Sequence, residues 1–149
     1  MTVREVVDTA APRIRREFAE QPAIQWRLYM ALAEVYRSLA EFDSFFEYAR
    51  LAGELAERSF DAGDNRILAS DGALAMALRS TGMYEDAIEL QEQVVADYRR
   101  IFGEDHRDTI EAVYLLGIYY RGDSRFEDSL NTGLEALELA RAHLAPDHA

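Results

Sequence analysis

Chemistry by side chains needs a nucleophile beside a base, paired carboxylates, a set of metal ligands, or a cradle of backbone amides for phosphate. The sequence has no cysteine, which excludes a thiol nucleophile, a thiolate zinc site, an iron–sulfur cluster and a disulfide framework together. Its three histidines are His106, His143 and His148. His106 and His148 end equivalent turn segments, Phe102-Gly103-Glu104-Asp105-His106 and Leu144-Ala145-Pro146-Asp147-His148, so sharing a metal would require two separate loops to converge. The simpler expectation is that each bonds a neighbouring helix end. Carboxylates are abundant, but Glu85-Asp86 and Glu135 to Glu138 fall in first turns or on outer helix faces, where acids favour the helix dipole. Neither a glycine-rich phosphate loop nor a His-Glu-x-x-His pair occurs. No catalytic residue, metal or cofactor is expected.

The charge balance narrows the partners. With 28 acidic against 16 basic residues the net charge is −12, which disfavours nucleic acid and anionic membrane surfaces, both bound through positive potential. No apolar run approaches the roughly 20 residues of a membrane span, and Met1-Thr2-Val3-Arg4-Glu5-Val6-Val7-Asp8 is too short and charged for a signal peptide. The expectation is a soluble cytoplasmic protein with a protein or peptide partner.

These residues are positioned by a repeat. Shifting the sequence by 42 residues superposes Phe18, Phe60 and Phe102, then Leu32, Leu74 and Leu116, then Ala33, Ala75 and Gly117. Arg37, Arg79 and Arg121 coincide as well, and so do Phe42, Tyr84 and Phe126. Each unit reads as two helices. In the second, one helix runs from about Asn65 to Thr81, the chain turns at Thr81-Gly82-Met83, and another runs from about Tyr84 to Ile101. Asp108-Thr109-Ile110-Glu111 reads as a capping box opening the third unit. No window alternates with period two, so the fold is all-α. Residues 19–60, 61–102 and 103–144 are three repeats of a single domain, 2–18 a half-repeat or capping helix, and 145–149 a truncated linker. Val3, Val7 and Ala10 take core positions in the half-repeat, where Pro12 either kinks the helix or restarts it with Thr9 as cap.

Leu74-Ala75, Leu78, Gly82-x-Tyr84-Glu85-Asp86-Ala87 and Val94 resemble the tetratricopeptide repeat. The 42-residue period with Phe-Gly-x-Asp-His-x-Asp-Thr is similar to the long variant found in kinesin light chains and many bacterial arrays. The resemblance implies a right-handed α-solenoid of about three helix hairpins plus an N-terminal helix. Unit one departs at the turn, where Ala40 replaces glycine, and at Phe45, which stands where Ala87 and Ser129 stand later, so its interface is expected to pack differently. In unit three Ser124 takes the glycine position, and Gly122-Asp123 is expected to end the helix. Val3 to Asp8, Arg16 to Pro22 and Val35 to Leu39 also resemble the segment following the kinase domain in bacterial serine/threonine kinases with such tails.

In the family the first helices line a concave groove that takes the ligand. Carried onto this sequence, the groove positions are Arg27, Met30, Glu34 and Arg37 in unit one, Met76 and Arg79 in unit two, and Tyr114, Leu115, Ile118 and Arg121 in unit three. Met30, Glu34, Ala73, Glu111 and Leu115 occupy the places of the carboxylate clamp of chaperone-binding members, and the asparagine ladder of kinesin light chains is missing. Neither ligand class is therefore inherited. Methionines, an aromatic and arginines suit an apolar helix or extended segment with one or two acids. Arg37, Arg79 and Arg121 also fall in the last turn of each first helix, where a cation offsets the dipole by about 0.3–1 kcal/mol, so ligand contact and helix stabilisation remain alternatives. Trp26, Tyr29, Tyr36, Tyr119 and Tyr120 are assigned to packing between helices.

The resulting expectation is a non-catalytic module binding a peptide or helix of another protein. Two rivals stand beside it. One is a scaffold that associates with copies of itself through open solenoid ends; the other is a regulatory fragment of a larger signalling protein such as a kinase. The incomplete terminal units and the high aromatic content motivate the first, and the resemblance to kinase tails the second.

Overall fold

In a computed structural model, residues 2–143 are described, together with the backbone but not the side chains of Val3, Arg4 and Val7. They form eight α-helices and no strand. In order these are α1 (Val3–Asp8), α2 (Ala10–Glu17), α3 (Pro22–Ser38), α4 (Phe42–Ser59), α5 (Asn65–Ser80), α6 (Tyr84–Phe102), α7 (Arg107–Gly122) and α8 (Phe126–His143). The 42-residue period is visible in the boundaries: α4, α6 and α8 begin at 42, 84 and 126, and α3, α5 and α7 end at 38, 80 and 122. The 145–149 segment and His148 lie outside the described residues, as do the core positions expected for the Val3 and Val7 side chains.

The turn within each hairpin is the same motif three times. Ala40, Gly82 and Ser124 carry positive φ of 57°, 84° and 61°. Their amides donate to the carbonyls of Arg37, Arg79 and Arg121, and the following amides of Glu41, Met83 and Arg125 donate to Tyr36, Leu78 and Tyr120 at 2.9–3.0 Å. This pair of crossed bonds satisfies the last carbonyls of a helix and reverses the chain. α7 ends at Gly122 with Asp123 as its C-cap, as expected, and Ser124 two residues on adopts the left-handed conformation. A Cβ at Gly122 would sit 2.9 Å from the Tyr84 ring, so close approach of that ring is what the glycine permits.

The chain divides into two compact units, Met1–Ala77 and Leu78–Ala149. In the first, the expected N-terminal helix is two helices. Thr9 separates them, but its hydroxyl donates back to the Val6 carbonyl at 2.8 Å and does not cap α2. Pro12 is thereby placed in the first turn of α2, where its missing N–H costs no helix bond. The core gathers Ile14, Tyr29, Ala33, Tyr36, Phe45, Tyr48, Ala49, Ala52, Leu55 and Ala77, with Ala10 and Ala11 packed against it. Phe45 is buried in this core. Tyr36 and Tyr48 stack at 5.3 Å, and the Tyr36 hydroxyl donates to Asp8 at 2.7 Å, tying α1 to α3. Trp26 Nε1 donates to Ser70 Oγ at 2.8 Å, tying α3 to α5.

In the second unit α7 packs on both α6 and α8. Leu78, Ile88, Val94, Val95, Ile110, Val113, Leu116, Tyr119 and Tyr120 are buried. Two side chains bond backbone carbonyls across helices: Gln91 Nε2 to Ala112 at 3.0 Å and Ser129 Oγ to Gly117 at 2.8 Å. The second is possible because Gly117 lets α8 approach, with the Gly133 amide 3.4 Å from where a Cβ would be. The start of α7 corrects the capping-box reading. His106, extended at φ −72° and ψ 135°, is the N-cap, and its Nδ1 accepts from the Asp108 amide at 3.2 Å. Asp108 lies inside the first turn, its charge toward the positive helix end.

Candidate functional site

Of the ten candidate positions, Arg27, Met30, Glu34, Arg37 and Met76 fall in the first unit and Arg79, Tyr114, Leu115, Ile118 and Arg121 in the second. In the first unit Arg27, Glu34 and Arg37 are exposed, whereas Met30 and Met76 are half-buried and pack against the hydrophobic core. Arg37 grips Glu34 one turn back through Nε at 2.8 Å and through a guanidinium nitrogen. That bond holds the Glu34 carboxyl below its usual range and lifts Arg37.

In the second unit Arg79, Leu115 and Ile118 are half-buried, and Tyr114 and Arg121 exposed. Arg79 lies over the ring of Tyr119 at 5.6 Å. Tyr119 is buried, its hydroxyl has no partner among the described residues, and burial pushes its pKa up to about 12 despite the Arg79 charge. The three aligned arginines thus have three environments, one paired to a carboxylate, one over an aromatic ring and one in solvent. What they share is the backbone, since each carbonyl closes a hairpin turn.

Tyr114 is 57% exposed and shares with Ile110, Glu111, Gly133 and Leu137 an open hollow of about 560 Å³ between α7 and α8. A smaller one of about 340 Å³ in the first unit lies between α2 and α3, lined by Ile14, Phe18, Leu28 and Leu32. Position-by-position transfer misses the outer face of α8, where Phe126, Leu130, Leu134 and Leu137 are exposed. Their helical spacing was available in the sequence as a signal, but the intervening glutamates suggested an outer, solvated face.

Several carboxylates accept from nearby arginines. Asp64 accepts from Arg66 Nε at 2.9 Å and from its amide, which brings its pKa down to about 2. Asp128 accepts from Arg125 at 2.8 Å, Glu47 from Arg50 at 2.7 Å, and Glu135 from Arg99. His106 stacks on Phe102 at 4.6 Å and is spent on the α7 cap. Among the described residues no group of three metal-ligating side chains occurs, and no helix is long and apolar enough to cross a membrane.

The helix hairpins and the turn they share define a helical-repeat protein. The tetratricopeptide repeat family matches residues 66–142, half of the chain, and the chain belongs to it. Among solved structures it is similar to kinesin-light-chain-type, nearly identical TPR-like repeats of Podosopora anserina, at 21% identity and a TM-score of 0.76 over 87% of this chain and 61% of that one. It is also similar to BtubC (BKLC) from P. vanneervenii, at 17% identity and a TM-score of 0.70 over 93% of this chain and 56% of that one. The chain thus spans about three-fifths of the length of those structures, and at such identities the likeness is one of fold. No curated protein matches.

Proposed function

We propose that this chain is a non-catalytic interaction module that holds a peptide or helix of another protein on the ligand-facing rows of its first helices, α3 in the first unit and α7 in the second. Repeat proteins of this family are generally protein-interaction modules. The observation that carries the reading here is the α7 row, where Tyr114 stands 57% exposed above half-buried Leu115 and Ile118 and beside exposed Arg121. An aromatic anchor, aliphatic neighbours and an arginine are the composition from which binding hot spots are made. The helical backbone presents them preformed, so little ordering cost falls on this side of the complex. This reading assigns no catalytic residue.

The test is a displayed library of random peptides selected on the wild-type chain. Selected peptides should lose about tenfold or more in affinity with Tyr114→Ala, and again with Arg121→Glu, while Leu134→Glu on the outer face of α8 leaves them unchanged. Peptides indifferent to both α7 substitutions would refute the assignment.

A further inference from the structure

We propose that the outer face of α8 pairs antiparallel with the same face of a second copy of this chain. The four apolar side chains on that face are exposed by 67% (Phe126), 62% (Leu130), 49% (Leu134) and 44% (Leu137). They recur at helical spacing along one stripe, and with Arg141 they extend it to about 22 Å at 1.5 Å per residue. The adjoining face is already used, with Ala136 buried and Ser129 and Gly133 against α7. An apolar stripe beside a hollow large enough for a leucine side chain marks an interaction surface.

The charges on the stripe identify the occupant. Glu127 and Arg141 stand seven residues before and seven after Leu134, two helical turns each way, and so on nearly the same face. Among the described residues neither makes an ion pair, although their neighbours do: Asp128 with Arg125 and Glu135 with Arg99. A two-fold axis beside Leu134 lays the Arg141 end of each α8 against the Phe126-Glu127 end of the other. Leucine then meets leucine in the middle, and an arginine meets a carboxylate and an aromatic ring at both ends. A parallel pairing would set like against like. The surface is therefore complementary to itself in the way a two-fold interface requires.

Sedimentation equilibrium of the 149-residue chain at physiological ionic strength tests this. The expected result is a reversible monomer–dimer equilibrium. Leu134→Glu should raise the dissociation constant about thirtyfold or more, with helicity by circular dichroism unchanged because the side chain is half exposed. Arg141→Glu should weaken the dimer about tenfold, and Glu127→Arg combined with Arg141→Glu should restore it. A monomer at the highest concentration reached, a dimer indifferent to Leu134→Glu, or a double variant no stronger than Arg141→Glu alone would each overturn the proposal.

Discussion

Positions 40, 82 and 124 adopt one backbone conformation with three different residues, and only glycine adopts it without steric cost. Ala40→Gly and Ser124→Gly should each stabilise the chain by about 0.5–1 kcal/mol, the relief of the Cβ clash less the added entropy of an unfolded glycine. Thermal unfolding would show this as a rise of about 2–4 °C, and an unchanged midpoint would mean that the turn is not strained. Gly122 answers to a different constraint. Helix propensity favours Gly122→Ala by about 1 kcal/mol, but the new Cβ meets the Tyr84 ring at 2.9 Å. The gain should therefore appear in a Tyr84→Ala background and vanish when the ring is present, a coupling that a double-mutant cycle measures. Tyr119 brings a third residue-level expectation. An unfolded tyrosine ionises near pH 10, whereas burial holds Tyr119 protonated up to about 12. The folded chain thus keeps a proton that the unfolded chain loses, and stability that is full below pH 10 declines as the pH rises toward 12. Tyr120 adds to the decline through burial and its bond to Glu92. Tyr119→Phe should be neutral or stabilising at pH 7, since it removes a buried hydroxyl without a partner, and should flatten the alkaline decline seen in denaturant titrations.

Among the elements, α5 depends most visibly on its start. Asp64 accepts the Arg66 amide at 2.9 Å, Arg66 returns two side-chain bonds, and its guanidinium lies 3.5 Å over the Phe60 ring. Asp64→Ala should lower the thermal midpoint at neutral pH. Because the folded carboxyl titrates near 2, the contribution is present above pH 4 and is lost as the pH falls through 4 toward 2, where wild type and variant should converge. At this scale the sequence is most legible. Turn residues and apolar periodicity recur every 42 positions, and α6 begins at Tyr84, as the spacing predicts. Departures arise where two local signals compete. Asp108 looks like a cap because acids cap helices, but the preceding extended His106 offers its ring nitrogen first. Thr9 looks like a cap because threonines do, yet its hydroxyl bonds the carbonyl of the turn it leaves. The candidate site was legible only as positions. That Arg37 would turn to Glu34 and Arg79 to Tyr119 depends on neighbours one turn or one helix away, and Met30 and Met76 are drawn toward the core because their apolar length can fill its edge.

At the scale of the whole molecule, a net charge of −12 on 149 residues makes the folded chain repel itself. Salt should screen that repulsion, so raising sodium chloride from about 0.05 to 0.5 M is expected to raise the melting temperature by about 2–4 °C, the shift produced by about 1 kcal/mol in a chain of this size. Salt also weakens the arginine–carboxylate pairs, but these are largely exposed and each contributes little. A falling midpoint would mean that the pairs outweigh the general repulsion. The recurring hairpin turn bears on how a molecule like this could change its length. At residues 40, 82 and 124 the chain passes through the same conformation with the same crossed amide bonds, so the stretches between them begin and end on interchangeable joints. A tandem duplication or excision of one such stretch would leave every junction with a geometry the chain already makes, and genetic change could add or remove a whole repeat without having to invent a new turn.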